Sequence, residues 1–311
     1  MPLHNTEYEP CQRANKRRRI SASLTPPQVT LKMALEEQSI KQPVPKLELT
    51  PLENTIKTLL LDVKDYIYKK NEAEGEDKSE EEEMILRFTG GWVRDKLLGL
   101  HSHDIDVAIS TMTGYQFGLA LKEYLDVPEN LEKYKQDGQD GELKDAIGSL
   151  HKIEKNPEKS KHLETVTTHI FGMDIDLVNL RKETYSDDSR NPQMEFGTAV
   201  EDALRRDATV NALFYNLDKA ELEDLTGHGL EDMKAKLLRT PLDPYQTFKD
   251  DPLRVLRLIR FASRLGYHIH EDAQKAMQND DIKDALKLKI SKERVGTEVD
   301  KMLRGKTVLE L

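Results

Sequence analysis

The chain has 311 residues, enough for about two domains, and its 37% hydrophobic content supports real cores once the polar tails are set aside. No run of about 18 apolar residues occurs, which excludes a helical membrane span, and the single cysteine, Cys11, excludes an intrachain disulfide or a cysteine-based zinc site and points to a reducing compartment. The net charge of -10 argues mildly against a nucleic-acid partner, but the carboxylates between Glu72 and Glu83 concentrate much of it in one place, so total charge says little about any one cleft.

Residues 1–44 mix Pro2, Pro10, Pro26, Pro27 and Pro43 with polar residues and no sustained period, the pattern of a disordered tail. Lys16-Arg17-Arg18-Arg19 reads either as a nuclear-import patch or as a generic basic tail, and Met33 offers a second start. Cytoplasmic, nuclear and mitochondrial placement therefore all stay open. Order is expected from Thr50-Pro51-Leu52-Glu53, a capping box with proline at the first helical position, ahead of Leu52, Ile56, Leu59, Leu60, Val63 and Ile67 on one helical face.

After the acidic run, an apolar strand from Met84 to Phe88 meets Gly90-Gly91, where missing side chains let backbone N–H groups approach a phosphate, and a short helix opens with Arg94 near its positive end. Asp104 and Asp106 then flank Ile105 on a strand of period two, which points both carboxylates to one face and sends Ile105 and Val107 to the core. Paired hard-oxygen ligands of this kind suit Mg²⁺ on a triphosphate. His101 and His103 beside Asp104 suggest a metal-dependent phosphohydrolase, but no matching second cluster accompanies them, and loop histidines are the simpler account. At this spacing the glycine turn and the Asp-x-Asp pair resemble the signature of polymerase-beta-like nucleotidyltransferases.

A helix is expected from Thr113 to Leu125, a polar insertion over 126–161, and two β-runs, His162 to Phe171 and Met173 to Leu180, joined by a turn at Gly172. In the second run Asp174 and Asp176 alternate with Ile175 and Leu177. One of them would reach the Asp104/Asp106 pair as a third carboxylate, or both would line the polar face of an edge strand; only resemblance favours Asp176. Residues 181–197 read as a polar loop, and Thr198-Ala-Val-Glu201 as a capping box into a helix. The second half reads as helices over Gly229 to Leu238, Pro252 to Leu265, Glu271 to Met277 and Lys292 to Leu303, the last capped by Ser291. Strands early and helices late give an α+β head, residues 45–217, followed by an all-helical neck, residues 218–311.

Two further clusters carry charge. Arg205-Arg206-Asp207 with Asn211 would bring arginine to phosphate oxygens and aspartate to a sugar hydroxyl, or would form a surface ion pair. In Asp250-Asp251-Pro252-Leu253-Arg254, Asp251 caps a helix on which Arg254, Arg257, Arg260 and Arg264 fall within roughly 120° of arc, opposite Val255, Leu258, Ile259 and Ala262. The arginine face is either a solvated stripe or a ligand surface. A carboxylate at Asp251 accepts from an exocyclic amine, and Arg254 one turn on donates to the neighbouring ring nitrogen. Cytosine and adenine offer an amine beside a ring nitrogen acceptor. Uracil and guanine present the opposite polarity and would be rejected.

The clusters together resemble the class II tRNA nucleotidyltransferases, the CCA-adding enzymes: Gly90-Gly91-x-Val93-Arg94-Asp95 with Asp104-x-Asp106, then Arg205-Arg206-Asp207 with Asn211, Asp224-Leu-Thr-Gly227 through Asp232, Asp250-Asp251-x-x-Arg254, and Ile290-Ser291-x-Glu293-Arg294-x-x-x-Glu298. The similarity runs in family order over roughly residues 50–305. It implies Mg²⁺ on Asp104 and Asp106, with Asp176 as the added catalytic carboxylate. It also implies CTP or ATP held by Gly90, Gly91, Arg94, Asp95, Arg205, Arg206, Asp207, Asn211, Asp251, Arg254, Arg257 and Arg260, and residues 181–197 as a flexible loop that helps switch from CTP to ATP. The activity implied is template-independent addition of CMP and AMP to the 3′ end of tRNA with release of pyrophosphate. A CC-only, A-only or poly(A)-adding relative, and a nucleotide-binding fragment without turnover, stay open. The chain departs from the family in having Asp250 for the usual glutamate and in stopping at Leu311, where the family continues into body and tail domains that grip tRNA. No oligomeric state follows from the sequence.

Overall fold

Period-two alternation sorts the central strands onto two faces, and that sorting places everything else. The computed structural model describes residues 45–75, 83–102, 104–134, 151–152, 166–186 and 189–304. The expectations for residues 1–44, most of the 126–161 insertion and His103 lie outside the described residues. A seven-stranded sheet runs in the order β3 (His151–Lys152), β4 (Val166–Ile170), β5 (Met173–Asn179), β2 (Asp104–Ile109), β1 (Leu86–Thr89), β8 (Leu213–Asn216) and β9 (Glu221–Asp224). The β2/β5 pair is parallel and the other pairs are antiparallel, so the sheet is mixed as expected.

On one face Leu86, Phe88, Ile105, Val107, Ile175, Leu177, Leu213 and Tyr215 bury against α1 (Pro51–Glu74) and α3 (Gly114–Leu125), with α2 (Gly91–Leu97) between β1 and β2. The capping box predicted for α1 is present, with Thr50 and Glu53 exchanging bonds, and Ile56, Leu59, Leu60, Val63 and Ile67 form its buried stripe. Thr113 caps α3 in the same way. The small helix α4 (Pro128–Glu132) follows. The opposite face carries Ala108 and Phe214, packed with Leu180, Ala203 and Ala212 near α5 (Ala199–Leu204), and also Thr89, Asp104 and Asp106.

The helical half comprises α6 (Gly229–Ala235), α7 (Pro244–Asp250), α8 (Leu253–Leu265), α9 (Glu271–Met277), α10 (Asp280–Lys289) and α11 (Lys292–Leu303). Their core gathers Phe248, Leu258, Phe261, Tyr267 and Ile282 and receives Ala208 and Val210 from the segment after α5. Sheet and helices belong to one compact unit, Pro43–Leu311. Among the described residues no helix is long and apolar enough to cross a membrane.

Several boundaries differ from the sequence reading. Within 181–197, expected as loop, β6 (Arg181–Ser186) pairs with β7 (Ser189–Phe196) in a two-stranded antiparallel ribbon of mostly polar residues. The β8/β9 hairpin continues the head sheet to Asp224, past the boundary expected at 217; four-residue strands are too short to announce themselves by period. The helix expected over 229–238 stops at Lys236, which takes a left-handed φ of 53°, and Leu237–Leu238 become β10, paired with β11 (His268–Ile269). Helices α7 and α10 were not anticipated. On α8, Ile259, expected on the apolar arc, is 40% exposed, and Phe261 is buried.

Candidate functional site

A cavity of about 1140 Å³ opens where the second face of the sheet meets α8 and α11. Its wall includes Gly90, Gly91, Asp104 and Asp106 at one end and Asp251, Arg254, Arg257, Arg260 and Arg294 at the other, with Arg205, Arg206, Asp207 and Asn211 between them. Residues that the sequence spreads over more than 200 positions thus share one space.

The carboxylate end follows from register. Asp106 lies opposite Thr89 on β1 and Asp176 on β5, and Asp104 lies opposite Asp174. Asp104 is exposed and accepts from Ser102 Oγ at 2.9 Å, and Asp106 is half-buried. Burial, reinforced by Asp176 and Asp104 and opposed by Arg206 and Arg181, pushes the Asp106 carboxyl up to about 6. Crowded like charges of this kind fit a divalent cation, which Asp104 and Asp106 would hold between them. Asp176 is the neighbour of Asp106 across the β2/β5 pair, and its carboxylate accepts from Thr167; among the described residues no group of three or more His, Cys, Asp or Glu is placed to hold a metal.

Gly90 makes the approach possible. Its φ of 75° is left-handed, and a Cβ there would stand 3.1 Å from both Arg206 Nη1 and Asp106 Oδ2. The N–H of Gly90 donates to the Leu213 carbonyl at 3.3 Å and is therefore already used, while Gly91 and Trp92 at the start of α2 line the cavity.

The predicted polar residues are bonded to one another in a chain. Arg257 Nε donates to Asp207 Oδ2 at 2.6 Å, and Asp207 Oδ1 accepts from Asn211 Nδ2 at 3.0 Å. Asn211 Oδ1 accepts from Arg94, which is itself held by Asp95 at 2.6 Å, and Asp95 lies 3.8 Å from Arg264. Burial alone would raise the Asp207 carboxyl, but Arg257 and the Asn211 bond outweigh it and hold the group at about 2. Both Asp207 oxygens therefore already have protein partners. Arg94, Arg257 and Arg260 also approach the Phe261 ring, the last at 4.3 Å.

Asp251 ends α7, and Pro252, expected as the first helical residue, is the N-cap of α8 instead; Asp251 still turns the chain into α8, its Oδ1 accepting from the Leu253 N–H at 3.1 Å, and its Oδ2 lies 4.0 Å from Arg294. The arginine stripe is paired along its length, although Arg257 and Arg264 keep solvent contact. Arg254 pairs with Glu183, Arg257 with Asp207, Arg260 with Glu298 and Arg264 with Asp95.

Sequence reasoning missed Asp202 and Glu183. Asp202, 2% exposed, accepts from both Arg205 and Arg206, and Arg206 goes on to bond Thr89 at 2.8 Å and the Asn211 carbonyl at 3.0 Å. The spacing of three and four residues from Asp202 to the two arginines was a usable signal. Nothing local marked Glu183, because its segment reads as loop.

A model of the poly(A) polymerase head domain matches residues 86–239. The chain is 53% identical over 259 residues to nucleotidyltransferase lcsQ of Purpureocillium lilacinum, covering 83% of this chain and 41% of that protein. It is 51% identical over 265 residues to the mitochondrial CCA tRNA nucleotidyltransferase of Saccharomyces cerevisiae, covering 85% and 45%. The chain spans about half the length of the curated relatives it matches. Among solved structures, a CCA-adding enzyme in an apo form aligns with a TM-score of 0.60 at 25% identity over 83% of this chain and 50% of that one. The fold is also that of the Thermotoga maritima CCA-adding enzyme solved with tRNA, with a TM-score of 0.59 at 23% identity over 84% and 50%.

Proposed function

We propose that the chain belongs to the family of tRNA nucleotidyltransferases and poly(A) polymerases and that it adds CMP and AMP, from CTP and ATP, to the 3′ end of tRNA without a nucleic-acid template. The observation that carries this function is that one cavity holds both the carboxylate pair and the Asp251/Arg254 pair. In this proposal residues 45 to about 224 are the catalytic head and the helices beyond are the neck.

Asp104 and Asp106 would hold Mg²⁺. Bound there, the ion would supply charge to the triphosphate and acidify the attacking 3′ hydroxyl. Arg94, Arg205, Arg206, Arg257 and Arg260 bring guanidinium groups to phosphate oxygens and share them with the carboxylates that already fix their positions. Asp251, its orientation set by the bond from the Leu253 N–H, accepts from the exocyclic amine of cytosine or adenine while Arg254 donates to the ring nitrogen beside it. Holding triphosphate and base at two ends of one cavity is a positioning task as much as an electrostatic one. The basic run at Lys16 to Arg19 and the mitochondrial relatives support cytoplasmic, nuclear and mitochondrial pools.

The test is extension of a tRNA ending at its discriminator base, with each nucleoside triphosphate supplied alone and then CTP and ATP together. Addition of two C and then one A, lost in EDTA and restored by Mg²⁺, is the expected result. Incorporation of UTP or GTP at comparable rates would remove the base-reading role, and repeated A addition alone would make the chain a poly(A)-adding enzyme.

A further inference from the structure

Glu183 lies on β6, outside every motif, yet its carboxylate joins two of them. Its Oε1 accepts from Arg205 Nη1 at 2.8 Å and its Oε2 from Arg254 Nη2 at 3.2 Å. The side chain lines the cavity and is only 7% exposed. Arg205 is in turn fixed to Asp202 on α5, so a continuous chain of charged bonds runs from Asp202 through Arg205 and Glu183 to Arg254 on α8.

A guanidinium is planar, so pinning one Nη sets the direction of its remaining donors. An unpaired guanidinium in a cavity that admits a triphosphate would be drawn to phosphate oxygens, which attract it more strongly than a neutral ring nitrogen does. A guanidinium already paired with a carboxylate has less to gain. We propose that Glu183 is a specificity-positioning residue. Resting on the base-reading role given above to Asp251 and Arg254, it keeps Arg254 a directed hydrogen-bond donor to the base instead of a phosphate anchor. Glu183 acts through Arg254 and needs no contact with the nucleotide. The β6/β7 hairpin thereby takes part in choosing the base as well as in enclosing the cavity.

The test is calorimetric binding of CTP, UTP and inorganic tripolyphosphate to the full chain, without RNA, for wild type, Glu183→Gln and Glu183→Asp. The Kd ratio of UTP to CTP should be well above one in the wild type and fall on the order of tenfold in Glu183→Gln, the scale of one lost partner in a buried site. Tripolyphosphate, having no base, should bind Glu183→Gln more tightly because one carboxylate counter-charge to Arg205 and Arg254 is removed from the cavity wall. Glu183→Asp, which keeps the charge on a shorter arm, should recover part of the ratio, and it decides by the same ratio should Glu183→Gln not fold. Equal weakening of CTP and UTP, or an unchanged ratio, overturns the role of Glu183 while leaving base reading intact. A ratio near one in the wild type overturns base reading itself, and this inference with it.

Discussion

The two ends of the cavity are built in opposite ways. The carboxylate end comes from one stretch, Phe88 to Ile109, whose strand, turn, helix and strand bring Asp104 and Asp106 together by alternation alone. The arginine end is collected from α2, β6, the segment after α5, α8 and α11, and each α8 arginine meets a carboxylate from another element. The reason is electrostatic. Two carboxylates at an edge of the cavity can share a cation, whereas a wall of half-buried guanidinium groups would repel itself unless countered from within the protein. Substitutions at the first end should therefore remove chemistry and spare the fold, and those at the second should unsettle the fold as well.

The largest effect is expected at the local end. Asp106→Ala should lower nucleotide transfer by roughly 10³-fold or more, the scale of losing a metal-held electrostatic centre. Its melting temperature should hold or rise, because a crowded carboxylate has gone. Turnover retained in this variant would contradict the metal assignment, and unfolding would blur the contrast between the two ends.

At the assembled end, Asp202→Ala leaves Arg205 and Arg206 without their shared buried partner and should lower stability by about 3–5 kcal/mol. Urea unfolding measures it. A loss below 1 kcal/mol would mean that the arginine wall does not depend on its counter-ions.

A smaller, pH-dependent effect belongs to Asp207. Its carboxyl is held at about 2 in the folded chain against an ordinary 3.8, so it stabilises the fold above the ordinary value and ceases to do so as pH falls toward 2. The stability gap between wild type and Asp207→Asn should be roughly 2 kcal/mol at pH 5 and about half that at pH 3. A gap constant across that range would show that packing, not ionisation, sets the contribution of Asp207.

The smallest effect is expected far from both ends. Lys122 and Asp126 form an exposed pair one turn apart on α3, and Lys122→Ala should change stability by no more than about 0.5 kcal/mol, within the scatter of thermal melts. A larger change would mean that ion pairs matter here regardless of burial, and the contrast drawn above would lose its basis.

Particular elements show where sequence was enough. Thr50 and Glu53 announced α1, and Thr198 and Glu201 announced α5, because each cap is a bond between residues three apart. The Gly90 turn and the Asp104/Asp106 alternation were legible for the same reason. The β6/β7 and β8/β9 hairpins were not. The first has polar strands with no apolar alternation to detect, and the strands of the second are four residues long and gain their stability from β1. Ile259, expected on the apolar arc, is exposed, while Phe261 joins the helical core with three guanidinium groups gathered at its ring, a contact no helical period contains.

Sequence by itself determined the local chemistry: which residues carry charge, which face of a strand or helix they share, and which donors and acceptors a base would meet. Tertiary structure alone decided that Asp104 and Arg254 face one cavity, that Asp202 and Glu183 restrain its arginines, and that Asp176 comes to lie beside Asp106. The physical reason is range. Capping and alternation act within a few residues and are fixed by backbone geometry, whereas a buried guanidinium takes whichever carboxylate the folded chain brings within reach, and that choice exists only once the sheet and helices have packed.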